Sequence, residues 1–189
     1  AATPYLFGEI KQPTTDFLAL PRVSSERRTY IPIGYLDKNV ICGDKIYCVP
    51  NATYFDFAVL NSSMHMAWTR AVCGRMKSDY SYSITIVYNN FPFPSKPTKN
   101  AEEELNSLSK KILEARSSRI GATLADLYDP LTMPSDLLEA HKKLDAAVDK
   151  LYGYKGTNDD TERVAFVFGL YQSLTNLPAI PTKKTRKAK

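Results

Sequence analysis

The strongest constraint on this chain is a change of hydrophobic period along its length. The first part carries FLALPRV at 17–23, RTYIPIGYL at 28–36 and KIYCVP at 45–50, runs rich in β-branched and aromatic residues and punctuated by Pro and Gly. Such runs predict strands joined by polar turns. Beyond residue 95 the apolar residues recur every three or four positions: Leu105, Leu108, Ile112 and Ala115, then Leu137, His141, Leu144, Val148 and Leu151. That spacing lines one face of a helix and cannot settle as a strand. The two regimes meet at SKPTKN, residues 95–100, where a domain boundary is expected. The expected class is α+β: residues 1–95 form a mixed or antiparallel sheet with a buried helix, and residues 96–189 a small all-α domain ending in a basic disordered tail. A chain of 189 residues, 43% apolar, can bury a core as one domain or two small ones.

The middle of the chain sets finer expectations. After the short apolar stretch YFDFAVL, Asn61 or Ser62 can cap a helix through MHMAWTRAV, with Met64, Trp68 and Val72 on its buried face and Gly74 as its stop. Ile84, Ile86 and Tyr88 alternate with Thr85 and Val87, which predicts a strand ended by FPFP. Asn100 with Glu103 predicts a capping box, and Leu124 to Tyr128 a short turn or helix. Pro134 opens a long helix closed by Gly153, and a last helix runs from Thr161 to about Leu174, with Val164, Val167, Phe168, Tyr171 and Leu174 inward.

Several functions lack the residues they need. Lys183, Lys184, Arg186, Lys187 and Lys189 account for the whole net charge of +5, so the chain before them is balanced and provides no sign of a broad basic groove. Cys42, Cys48 and Cys73 show no metal-ligand spacing and are read as buried, reduced thiols. No eighteen-residue apolar run and no signal-like start are present, so a cytoplasmic protein without a membrane partner is expected. The eight glycines are scattered and form no phosphate cradle. Glu9 with Lys11 is a lone nuclease-like fragment, and NNFPFP has the wrong order for a methyltransferase tetrapeptide. His65 and His141 lie on or beside packing faces, and Asp145 and Asp149 share a helix face that amphipathic solvation explains. The chain by itself is expected to be no enzyme, with no catalytic residue, metal or cofactor.

RAVCGRMKSDYSY, residues 70–82, carries the candidate site. If extended beyond Gly74, it displays Arg75, Lys77, Asp79 and Ser81 on one side, roughly 6.6 Å per two residues. Lys77 can donate to guanine and Asp79 can accept from the cytosine amino group in the DNA major groove. A solvated ion pair on a strand face fits the same residues. Upstream, Arg22, Ser24, Ser25, Arg27 and Arg28 gather groups suited to phosphate, or close a turn salted by Glu26; Arg70 and Arg75 suit phosphate or a helix C-terminus.

PRVSSERRTYIPIGYL, VPNATYFDFAVLNSSMHMAWTRAVCGRMKSDYSYS, VYNNFPFP and DPLTMPSDLLEAHKKLDAAVDKLYG, in this order, resemble the C-terminal part of the MmeI-like restriction-modification proteins, from about Phe17 to Gly153. The resemblance implies the latter portion of a DNA target-recognition domain followed by a C-terminal helical domain, with Ala1 an artificial start and KTRKAK the natural terminus. It implies a longer parent protein with an S-adenosylmethionine-dependent adenine methyltransferase domain, in some members also a nuclease, and double-stranded DNA as partner. In that family a Lys-x-Asp pair after the helix is associated with reading G·C, which Lys77 and Asp79 match, and Ser81 with Lys45 fall where another base is specified. A protein-interaction or scaffold module without base readout is the alternative.

Overall fold

A computed structural model describes residues 11–175. Two small antiparallel sheets share one continuous chain segment. The first has the order β3-β1-β4, from β1 (Phe17–Pro21), β3 (Gly34–Leu36) and β4 (Ile46–Pro50); the second has the order β2-β6-β5, from β2 (Val23–Ser24), β5 (Gly74–Met76) and β6 (Asp79–Ser81). Arg22 is the joint between them. Its N–H donates to the Lys45 carbonyl at 2.9 Å, and its own carbonyl accepts from the Tyr82 N–H at 2.8 Å.

Tyr54–Leu60, read as an apolar stretch, is a helix in its own right, α1. Thr53 and Asp56 form a reciprocal capping box that starts it. Ser62, one of the two expected caps, then opens α2 (Ser63–Val72) by accepting from the His65 N–H. The helix ends one residue before the expected glycine, at Cys73, whose extended backbone leads directly into β5. Trp68 is buried at the centre of α2, against Phe91 and the rings of Phe168 and Tyr171. At roughly 25 cal/mol per Å² over about 200 Å², its burial contributes about 5 kcal/mol.

The expected strand at 84–88 is instead a π-helical turn, Ile84–Tyr88. Its alternation is overridden by hydrogen bonds that a strand would not allow. The Ser83 hydroxyl caps it, Asn89 N–H closes a wide ring on the Ile84 carbonyl, Asn90 Nδ2 donates to Thr85 and Ile86 carbonyls, and Trp68 Nε1 donates to Val87 at 2.9 Å.

The remaining helices are α3 (Lys99–Ser117), α4 (Leu124–Leu127), α5 (Ser135–Tyr152) and α6 (Asp160–Thr175). Thr98 rather than Asn100 caps α3. Gly153 ends α5 at φ +69°, the left-handed conformation that favours glycine. Along α6, Val167 is fully buried, Phe168 packs on Trp68, and Leu174 is 67% exposed rather than inward. Helix α3 packs on both α1 and α5, and α6 packs on α2, so a single hydrophobic core runs across residues 95 and 96. Cys42 and Cys48 are half-buried, correcting the expectation of three buried thiols, and only Cys73 is buried; all three are free. Among the described residues no helix is long and apolar enough to cross a membrane, and no cluster of metal-ligating side chains occurs.

Candidate nucleic-acid interface

The chain does not run extended from Arg75 to Ser81. It reverses at Lys77 and Ser78, with Met76 paired to Asp79, Arg75 to Tyr80 and Gly74 to Ser81. Lys77 takes φ +57° at the tip, a left-handed conformation that only a tight turn asks of a lysine. Directly paired residues share a face of the hairpin, so Asp79, Ser81 and Met76 lie on one face and Arg75 with Tyr80 on the other. Arg75 is therefore separated from Asp79 and Ser81, contrary to the single row expected. Its guanidinium lies 4.4 Å over the buried Tyr80 ring and donates to the Ser78 and Arg70 carbonyls.

The tip is open to solvent. Lys77 is exposed and has no protein partner among the described residues, and Met76 is 57% exposed. Asp79 is half-buried; its Oδ1 accepts a long 3.4 Å bond from the Glu26 N–H, and among the described residues Oδ2 has no hydrogen-bond partner. That bond brings the arginine-bearing loop beside the hairpin. Within the loop, Arg27 is exposed, the Ser25 hydroxyl accepts from the Arg27 N–H, and half-buried Arg28 donates to the Ser24 hydroxyl. Ser24, expected among phosphate-facing groups, is 3% exposed and paired to Tyr80 in the sheet.

Lys45, in the turn just before β4, and Ser81 of β6, distant in sequence, are brought to opposite sides of the Arg22–Val23 segment. Two strand spacings put their backbones about 10 Å apart. Lys45 is exposed and pairs with Asp44 at 2.9 Å. Arg22 is exposed, stacks 5.1 Å over Tyr47 and donates to the Asp44 carbonyl. Arg70, expected as a phosphate clamp, is committed elsewhere: Nη1 donates to Asp160 at 2.6 Å and Nη2 to the Thr29 carbonyl at 2.8 Å.

Beneath the hairpin lies its footing. Tyr80 and Tyr82 are each 3% exposed, and Tyr82 Oη sits 2.9 Å from Nε2 of fully buried His65. Burial lowers the His65 pKa to about 4, so its ring is neutral, and the same burial pushes the Tyr82 phenol up. His141 stacks on Tyr30 and bonds Tyr128; burial, with Arg116 nearby, lowers it to about 3.

Three buried charged residues, Asp145, Arg116 and Arg163, hold the fold together. Asp145, expected on a solvated face, is buried and accepts from Tyr30 Oη, Ser63 N–H and Ser63 Oγ, each at 2.6 Å. Burial raises its pKa, against the pull of those hydrogen bonds. Arg116 is buried and donates to Tyr128, the Ile33 carbonyl and Asn61. Arg163 is 2% exposed and pairs with Asp149 at 2.6 Å. The signal available in the sequence was placement: Arg116 and Asp145 occupy inward positions of the mainly apolar stripes of α3 and α5.

Comparison with known proteins shows the family of the chain. Residues 1–95 match the family model "MmeI, target recognition domain" and residues 96–178 the model "MmeI, C-terminal domain". The chain is 40% identical over 175 residues to DNA methyltransferase A of Bacillus subtilis (strain 168), covering 93% of this chain and 20% of that protein. It superposes with a TM-score of 0.88 and 47% identity on a solved structure of the Type IIL restriction-modification enzyme MmeI in complex with DNA, covering 93% of this chain and 23% of that one. The chain thus spans about a fifth of the length of these relatives. It belongs to the MmeI family, of which it comprises the target recognition and C-terminal domains.

Proposed function

We propose that this chain is the DNA sequence-reading portion of a restriction-modification enzyme. The observation that carries the reading is a solvent-facing hairpin tip that offers an unpartnered lysine and a carboxylate oxygen two residues apart, in a target recognition domain. Lys77 Nζ donates to guanine O6 or N7, and Asp79 Oδ2 accepts from the cytosine amino group of the same pair. Lys45 and Ser81, on either side of the Arg22–Val23 segment, read a neighbouring base pair. Arg22, Arg27, Arg28 and Ser25 engage phosphates around them, and Arg75 adds an N–H from the hairpin's other face. In this reading Ser24 and Arg70 support the surface without touching DNA.

The chemistry belongs to the rest of a longer protein: a methyltransferase domain that takes the target adenine out of the helix and methylates it with S-adenosylmethionine, in a cytoplasmic enzyme that in some forms also cleaves DNA. The present chain supplies no catalytic group in this scheme. Its partners are double-stranded DNA and that methyltransferase domain.

The test is selection of bound sequences from a randomised duplex pool at low salt, comparing the wild type with Lys77→Glu plus Asp79→Arg. The wild type enriches a motif containing a G·C pair, and the double variant changes that one position or loses the motif while retaining its circular dichroism spectrum. An unchanged motif would defeat the assignment of Lys77 and Asp79. Absence of salt-sensitive binding by the wild type would favour a scaffold role.

A further inference from the structure

Both ends of α2, the helix that leads into the reading hairpin, are gripped by the C-terminal helices. At its start, Asp145 of α5 accepts from the Ser63 N–H and hydroxyl and from Tyr30 Oη. At its last turn, Arg70 makes a three-way link. One nitrogen of its guanidinium donates to Asp160, the first residue of α6, and another to the Thr29 carbonyl, where the arginine-bearing loop ends. Its backbone carbonyl accepts from Arg75 in the hairpin at 3.5 Å. The loop is thus held at Thr29 and Tyr30, and the hairpin at Arg75, through residues that answer to α5 and α6.

The Arg70–Asp160 pair is poorly suited to a stabilising role, because its side chains are 26% and 44% exposed and ion pairs this open contribute little to folding. Its contacts instead lead to the two elements that carry base-facing and phosphate-facing groups. We propose that Arg70 and Asp160 are positioning residues, a clasp by which the C-terminal helices fix the hairpin and the arginine loop in register with one another. Selectivity among sequences, rather than affinity for DNA in general, depends on the clasp. This inference rests on the base-reading role proposed above. A donor displaced by about 1 Å loses its partner on a base edge, while a phosphate contact tolerates the shift.

The test is Asp160→Asn in the full chain, with Asp160→Glu as the conservative variant. Expected for Asn are a melting temperature within about 2 °C of wild type, affinity for random-sequence duplex equal or higher, and preference for the selected motif over single-base variants reduced about tenfold. Freed from Asp160, Arg70 becomes available to phosphate, so the salt dependence of random-sequence binding steepens by up to ~0.9 in the logarithmic slope, an effect that loss of structure would not produce. Asp160→Glu restores the preference. Full preference in Asp160→Asn, or a joint fall of preference, random-sequence affinity and melting temperature, overturns the clasp. If the wild type shows no preference, or the Lys77/Asp79 exchange leaves the motif unchanged, the base-reading role itself fails, which is a different result from a selective wild type with an indifferent Asp160.

Discussion

Lowering the pH from 7 to 5 should destabilise this protein steeply, through two histidines that cannot be charged where they lie. His65 and His141 are both fully buried, with pKa values lowered to about 4 and about 3. In the unfolded chain both titrate near the ordinary value of 6.5. A neutral buried ring therefore contributes stability that is fully present above pH 6.5 and is lost as the pH falls toward the folded-state values, because only the unfolded chain binds the proton. Integrated from pH 7 to 5, each histidine removes about 1.9 kcal/mol, and the two together about 4. The check is urea denaturation at pH 7, 6 and 5 for the wild type and His65→Gln, whose amide can still bond Tyr82. The variant should lose about 2 kcal/mol less over this range than the wild type. Buried Asp145 opposes the trend, since its raised pKa gives the folded state a proton in acid, but it is common to both proteins and cancels in the comparison. Identical pH slopes would refute the assignment of a neutral, desolvated His65.

Three substitutions probe other parts of the argument. Lys77→Gly relieves a left-handed backbone at the hairpin tip and should raise stability by about 0.5–1 kcal/mol in urea titration while abolishing the G·C preference in bound-sequence selection; a variant that is destabilised, or still selective, contradicts the placement. Arg116→Met leaves the Ile33 carbonyl and Asn61 amide oxygen without their charged donor and should cost about 3–5 kcal/mol; a loss below about 1 kcal/mol by chemical denaturation would show that the site rearranges freely. Gly153→Ala, at φ +69°, should cost about 1 kcal/mol by the same measurement without altering DNA selectivity.

What the sequence disclosed, and what it withheld, follows from the range of the forces involved. The longer helices were legible because their causes are local: the stripe containing Leu137, Leu144 and Val148 with Gly153 behind it needs no knowledge of the rest of the chain, whereas the seven-residue α1 is too short to show such a stripe. The π-helical turn at Ile84–Tyr88 was not legible, since one of the bonds that sustains it comes from Trp68, sixteen residues upstream of the turn's start. The hairpin at Lys77 was hidden for a different reason. Its two-residue turn lacks the Asn-Gly or Gly signature that usually announces such a reversal, and it is instead held in place by β2 and Tyr80. For the candidate site, Lys77, Asp79, Ser81 and Lys45 were named from the order of residues and family resemblance. Their division between hairpin faces and strands, and the commitment of Arg70 to Asp160, depend on pairings across 22 to 115 residues of chain, such as Arg22 with Asp44 and Tyr30 with Asp145. Buried charge was the systematic omission: placement on the inward stripe marks Asp145 and Arg116 as candidates for burial, but the hydrogen-bond partners that make burial tolerable, such as Tyr30 and Ile33, lie far away in the sequence.

The hairpin formed by β5 and β6 divides into two kinds of position. From Met76 to Asp79 the side chains rest on little of the interior, whereas Tyr80 and Tyr82, at its base, are locked into it. Substitutions at the rim consequently carry a small folding penalty, and those at the footing a large one. Under the proposed base-reading role, a lineage carrying this architecture would drift to a new target by one or two point changes without first accumulating spare stability, so closely related chains should differ in the DNA they select well before they differ in shape.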